Sequence, residues 1–166
     1  IKLNDQLVIK EESIWEQIGN KYAESIKSEL SREIGKKVEQ ISGKSFSKQD
    51  PDVTITIDMA NNVINMKIRS IYIYGGYKKL IRGIPQTKWD KYEKTVEDII
   101  AEPFMQMTKA EDHAFHAMGR EDIDARCLDY RPFVLELKNP KKRGVDLKKA
   151  IKEINNKHEV EVTNLR

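Results

Sequence analysis

The sequence predicts an α+β protein, and three patterns carry that prediction. From Ser13 onward, Ile14, Ile18, Tyr22, Ile26, Leu30, Ile34, Val38 and Ile41 recur about every fourth residue, as one stripe of an amphipathic helix does. Val53, Ile55 and Ile57 then alternate with Thr54, Thr56 and Asp58, and Ile64, Met66 and Ile68 repeat that period of two beyond Asn61-Asn62, a hairpin signal. Phe133, Leu135 and Leu137 alternate with Val134, Glu136 and Lys138 much later in the chain. Helical and extended patterns occur in blocks, so helices and an antiparallel or mixed sheet are expected side by side.

Composition narrows the class. Charged residues make up 34% of the chain and the mean hydropathy is -0.66, the balance of a solvated globular protein. Thirty Lys and Arg face 27 Asp and Glu, a net charge of +3. That is too mild for a polyanion-binding tail but compatible with a basic face. Cys127 is the single cysteine, which excludes an internal disulfide and a thiolate-rich zinc site within this chain and fits a reducing cytoplasm. No apolar run reaches the length of a membrane span. The first residue is Ile, which suggests a fragment.

Taken in order, residues 1 to 10 read as a frayed lead-in or short strand. Ser13 can cap the long helix, and Gly35 weakens it and can divide it. Ser42 to Asp50 reads as a loop before Pro51 opens the first strand of the hairpin. Parity changes between Ile68 and Ile71, so the second strand is expected to carry a bulge near Arg69-Ser70 and to run on through Ile73. Gly75 to Trp89 reads as a loop, by its glycines and Pro85. It holds Tyr77, Lys78, Lys79, Arg82, Gln86 and Trp89, a mix in which cations can meet phosphates while rings and amides meet exposed bases. A solvated connection with its aromatics packed inward is the plainer alternative. Val96, Ile99, Ile100, Phe104 and Met107 predict a helix that Pro103 kinks or restarts. Ala114 to Met118 is expected to be a short strand, Asp146 to cap a helix over Leu147, Ile151 and Ile154, and Val160 to Val162 to be a final strand.

The densest chemistry lies in Gly119 to Arg143. Asp122, Asp124 and Arg126 share one parity and Ile123, Ala125 and Cys127 the other, so an extended strand would show a charged and an apolar face. Asp129-Tyr130-Arg131-Pro132 supplies turn chemistry to a following strand, which reads as a hairpin. His113 and His116 lack a third ligand at metal spacing, so no metal site is expected. Cys127 reads as a small buried hydrophobe, and Lys141-Lys142-Arg143 as a phosphate-tracking cluster or an ordinary solvated corner.

Gly119-Arg120-Glu121-Asp122, continuing through Arg126, Arg131-Pro132-Phe133 and Lys138 to Arg143, resembles the catalytic-loop signature of the archaeal and eukaryotic tRNA pseudouridine synthases of the Pus ten family. The stretch Ile71 to Trp89, with Arg82-Gly83-Ile84-Pro85-Gln86-Thr87, resembles that family's second hallmark. The likeness covers roughly residues 11 to 166. It departs at Gly75-Gly76-Tyr77, where the family usually has Gly-Arg-Tyr.

This resemblance implies a THUMP-like RNA-binding region over residues 1–89 and the N-terminal part of a catalytic domain over 90–166. It implies a cytoplasmic, monomeric isomerase that converts uridine to pseudouridine in the TΨC arm of tRNA, at tRNA positions 54, 55 or both, without metal or redox cofactor. Asp122 takes the place of the catalytic aspartate. Such a carboxylate must be aimed, and Arg120 and Arg126 are the neighbouring cations. Arg120, Arg126, Tyr77, Lys79, Arg82 and Gln86 are the implied RNA contacts, with Arg120 placed to fill the gap left by an everted uridine. An ion pair of Arg120 with Glu121 or Asp124 is its structural alternative, and Glu121 and Asp124 read as structural or orienting. The family also draws on an N-terminal zinc module and on a tyrosine and a basic residue that lie past Arg166. Two other functions compete: an RNA-binding piece that holds tRNA without reacting, and a magnesium nuclease built on Asp124 with Glu136-Leu137-Lys138.

Overall fold

The computed structural model describes residues 1–166, and the chain divides into two compact units, 1–68 and 69–166. The elements are helices and antiparallel sheets, as the α+β reading expects. The unit boundary falls at Ile68/Arg69 and not at 89, because the strand after Ser70 belongs to the second sheet.

In the first unit, α1 (Asp5–Ile18) and α2 (Ile26–Ser42) replace the single long helix. Asn4 caps α1 by accepting from the Leu7 amide at 2.9 Å, so the helix starts well before Ser13. It stops at Gly19, whose φ of 81° an L side chain adopts only with strain, and Ser25 caps α2. Gly35 sits within α2 without dividing it. Residues before α1 run beside β1 (Val53–Asp58), with the Lys2 amide bonded to the Ile57 carbonyl at 2.8 Å. β1 pairs antiparallel with β2 (Val63–Ile68) around Asn61-Asn62, where Asn62 takes φ 52°.

The second unit opens with β3 (Ile71–Lys79), which is a separate strand in a separate sheet and no bulged continuation of β2. The sheet order is β4-β5-β3-β6, with β4 spanning Asp112–Ala117, β5 Cys127–Lys138 and β6 Val160–Thr163. All pairings are antiparallel. The predicted turn at Asp129–Pro132 is absent. β5 is one strand of 12 residues, and Pro132 is accommodated because its backbone faces the β4 side just where β4 ends, its carbonyl accepting from Met118. β5, α4 (Leu147–Asn155) and β6 form the expected strand, helix, strand unit, with β3 inserted between the two strands.

One sheet face is covered by α3 (Val96–Thr108) and α4. Ile73, Tyr77, Phe133, Leu135, Leu137, Val160 and Val162 meet Ile99, Ile100, Phe104, Ala150 and Ile154 there. Truncating one such side chain to alanine typically costs about 2–5 kcal/mol. α3 passes through Pro103 as a single element, since burial of Ile99, Ile100 and Phe104 offsets the bond that the proline lacks. Asp146 caps α4 by accepting from the Lys149 amide at 3.0 Å. No helix is long and apolar enough to cross a membrane.

Candidate active site

The site is a loop, residues 118–126, between β4 and β5. No strand forms over Asp122 to Arg126. The chain turns at Ile123-Asp124, closed by the Ala125 amide donating to the Asp122 carbonyl at 3.1 Å. The alternation of faces nevertheless survives: Arg120, Asp122, Asp124 and Arg126 are exposed, while Ile123, Ala125 and Cys127 are half-buried.

Three buried side chains and the half-buried Arg131 fasten this loop to the body. The Lys79 side chain, fully enclosed, points its Nζ at three carbonyls: Ile84 at 2.8 Å, Ile123 at 2.9 Å and Asp122 at 3.0 Å. Burial lowers the Lys79 pKa, and the negative charges of Glu121, Asp124 and Asp122 oppose that shift without cancelling it. Gln86 donates through Nε2 to the Gly119 carbonyl at 3.0 Å and to the Tyr77 hydroxyl at 2.7 Å. Tyr77 in turn donates to Glu121 Oε2 at 2.8 Å, and burial pushes its pKa up. Arg131 reaches the loop from β5, donating to the Met118 carbonyl at 3.2 Å with its Nε 3.4 Å from Glu121 Oε2. Gly83 completes the join by donating its amide to the Ile123 carbonyl at 2.9 Å. Gly119 has φ 86°, and a Cβ there would lie 2.6 Å from the Arg131 guanidinium.

These contacts correct the reading of Tyr77, Lys79 and Gln86 as RNA contacts. Tyr77 and Lys79 have no exposed surface and Gln86 only 5%, so as folded none of them reaches a polynucleotide. Gly75 to Lys79 is strand, and Tyr77 and Lys79 continue the inward parity of Ile71 and Ile73. That parity was the available signal, masked by the two glycines. Gly75 leaves room there, since a Cβ would meet Leu165 Cδ2 at 2.3 Å and the Thr163 carbonyl at 3.1 Å. Glu121 is structural, as expected, but its partners are Tyr77 and Arg131 and not Arg120. Arg131, placed by the sequence in a turn, was the fastening residue missed.

Asp122 projects its carboxyl into solvent from this fixed backbone. Arg120, Arg126 and Arg82 are exposed and make no hydrogen bond or ion pair, so none of them is tied to a carboxylate. Asp124 does not converge with Glu136 and Lys138. Glu136 and Cys127 pair with Tyr72 and Lys79 on β3, so they lie about 23 Å apart. Glu136 bonds Ser70 at 2.9 Å, and Lys138 pairs with Asp112 at 3.1 Å. His113 is bonded to Glu97 at 2.9 Å within the fold. Cys127 is half-buried, its Sγ 3.3 Å from the Asp129 carbonyl.

The architecture thus joins a helix-and-hairpin unit to a helix-backed antiparallel sheet that holds a carboxylate loop at one end. Residues 1–58 match the family model described as the archaeal Pus10 THUMP domain, which places the chain among THUMP-containing proteins. Residues 72–166 match the model of the Pus10 C-terminal region, and the chain belongs to the Pus10 family. The two matches flank the unit boundary at Ile68/Arg69.

Curated relatives of this chain bear the name tRNA pseudouridine synthase Pus10, and three show the range of likeness. That of Thermofilum pendens is 38% identical over 162 residues, covering 93% of this chain and 36% of the relative. That of Methanocaldococcus jannaschii is 45% identical over 140 residues, covering 74% and 31%. That of Methanothermobacter marburgensis is 38% identical over 186 residues, covering 99% and 46%. The chain therefore spans about a third to just under half the length of these relatives.

Proposed function

We propose that the protein acts as a tRNA pseudouridine synthase, an isomerase that converts uridine to pseudouridine in the TΨC arm at tRNA positions 54, 55 or both. The relatives' name supports the reaction class. The observation that carries the residue assignment is Asp122: a solvent-facing carboxyl on a backbone held by Lys79, with Gln86, Tyr77 and Glu121 fixing the preceding turn. A group that must meet a reacting nucleotide has to be exposed, yet aimed to within a fraction of an ångström, and rigid support beneath an open tip meets both demands.

The reaction exchanges an N-glycosidic for a C-glycosidic bond to the same ring, so no electrons are gained or lost overall and no redox cofactor is called for. The target uridine has to leave its stack to reach Asp122, and Arg120, exposed two residues away and free of internal partners, is suited to occupy the space it vacates. Arg126 and Arg82 are suited to hold the backbone on either side of the carboxylate. On this reading the THUMP unit contributes RNA affinity, and the enzyme works as a cytoplasmic monomer on tRNA.

The test supplies unmodified tRNA to the intact gene product and to its Asp122→Asn variant, with chemical mapping of pseudouridine. Modification by the first and none by the second is expected. Undiminished turnover in the variant removes Asp122 from the mechanism. Tight tRNA binding by the unaltered protein without any pseudouridine formation establishes RNA holding alone.

A further inference from the structure

Charge is distributed unevenly along the chain. Residues 138–157 contain eight cations, Lys138, Lys141, Lys142, Arg143, Lys148, Lys149, Lys152 and Lys157, and only two anions, Asp146 and Glu153. This segment is net +6 in a chain of net +3, so the remainder is net negative. Some of these cations have partners: Lys138 pairs with Asp112, Lys149 with Glu153, and Lys157 with Glu102. Lys141, Lys142, Lys148 and Lys152 are exposed and make no side-chain bond, nor does the adjacent Lys109.

The fold brings Lys109, Lys141 and Lys142 together, and α4 carries Lys148 and Lys152 close after them in the chain. The amides of Lys141 and Lys142 both donate to the Thr108 carbonyl, at 3.0 and 2.9 Å, which fixes that loop against the last turn of α3 beside Lys109. α4 packs antiparallel to α3, its Glu153, Asn156 and Lys157 facing Glu102, Pro103 and Gln106 across a groove. The first turn of α4 therefore lies toward the Thr108 end, near the anchored loop. Lys148 stands in that first turn and Lys152 one turn on.

Lys148, in the first turn of α4, opposes the positive end of the helix dipole, which the Asp146 carboxylate at the N-cap offsets, and Lys152 lies in the last turn. Cations that are exposed and unpaired are what a surface for an external polyanion requires.

We propose that the loop 139–146 and α4 form a second tRNA-binding surface that takes the phosphodiester backbone, apart from the loop bearing Asp122. The inference rests on tRNA being the substrate and extends that reading to a named contact region. Its ligand is the ribose-phosphate chain with no base read out, because lysines on a convex helix face meet phosphates as point charges.

The test measures tRNA affinity of the intact gene product against potassium chloride concentration. The Lys148→Glu/Lys152→Glu double variant is expected to bind about 5- to 20-fold more weakly and to lower the slope of log affinity on log salt by about 1.5, the loss of two phosphate contacts. Its melting temperature should stay close to that of the unaltered protein, which separates weaker binding from loss of fold. A Lys141→Ala/Lys142→Ala variant, which leaves α4 intact, should lower the slope in the same direction. Unaltered affinity and slope in both variants overturn the proposal. So does a loss of binding to phosphatidylserine-containing vesicles with tRNA binding untouched. Absence of turnover in the unaltered protein defeats the proposed function instead, and leaves the salt-slope comparison intact.

Discussion

Removing the Lys79 ammonium should release the carboxylate loop while leaving the sheet formed, and the cost can be worked out atom by atom. In Lys79→Met the stem is nearly conserved and three carbonyls lose a donor. Two of them retain another: Asp122 keeps the Ala125 amide and Ile123 keeps the Gly83 amide. The Ile84 carbonyl is left alone, and an orphaned buried carbonyl costs about 1–3 kcal/mol. The lost charge-assisted bonds add to that, and relief from burying an ammonium subtracts several kcal/mol. The net expectation is about 1–3 kcal/mol, or about 5–15 °C in the melting temperature of a unit near 100 residues. The more telling assay is amide hydrogen exchange. Protection at Gly83 and Ala125, whose bonds close the loop, should fall well before that of β3 and β5. Unchanged exchange at those two amides, with an unchanged melting temperature, would refute the view that Lys79 holds the loop.

Other outcomes follow from single contacts. Gly119→Ala should destabilise the loop by about 1–3 kcal/mol, since φ 86° and a 2.6 Å approach to Arg131 both oppose a Cβ, and it should lower turnover more than tRNA affinity. Tyr77→Phe should cost about 1–3 kcal/mol in chemical denaturation, because it strips Glu121 Oε2 of its nearest donor. The Asp58 carboxyl is held down to about 2 by the Asn61 side chain, then by Lys2. Because that folded pKa lies below the ordinary carboxylate value, the hairpin contact contributes fully above pH 4 and fades as pH falls toward 2. An NMR titration of Asp58 should show that midpoint, moved upward in Asn61→Ala.

Much of this architecture was legible in the sequence because periodicity reports burial directly. The β1–β2 hairpin, α3, the capped α4 and the alternation of Phe133, Leu135 and Leu137 all follow from which side chains must leave water. The failures share one cause, the reading of local turn chemistry without its tertiary setting. Pro132 and Asp129 looked like a turn, but β3 pairs with Pro132, Arg131 and Cys127, and the residues between Cys127 and Arg131 are taken up as a bulge within β5. Gly75-Gly76 looked like a loop, but Gly75 is small because Leu165 and Phe133 press on it. Gly19 was overlooked because the every-fourth-residue stripe continues across it into a different helix. In the site, Asp122 was singled out by its motif, whereas the supports beneath its backbone were not. A lysine, a glutamine and a tyrosine beside Arg82 resemble a solvent-facing grip on nucleic acid, and only the fold shows that they face inward.

The bonds from Lys79, Gly83 and Gln86 to Gly119, Asp122 and Ile123 join two stretches of chain that are remote in sequence. Neither stretch can be set correctly until β3 and β5 have zipped together, so competence at the carboxylate is acquired late in folding. For the same reason the two stretches form one transferable cassette. Grafting residues 119–126 from a relative should succeed when 79–86 travels with them, and give a well-folded but misaligned loop when it does not.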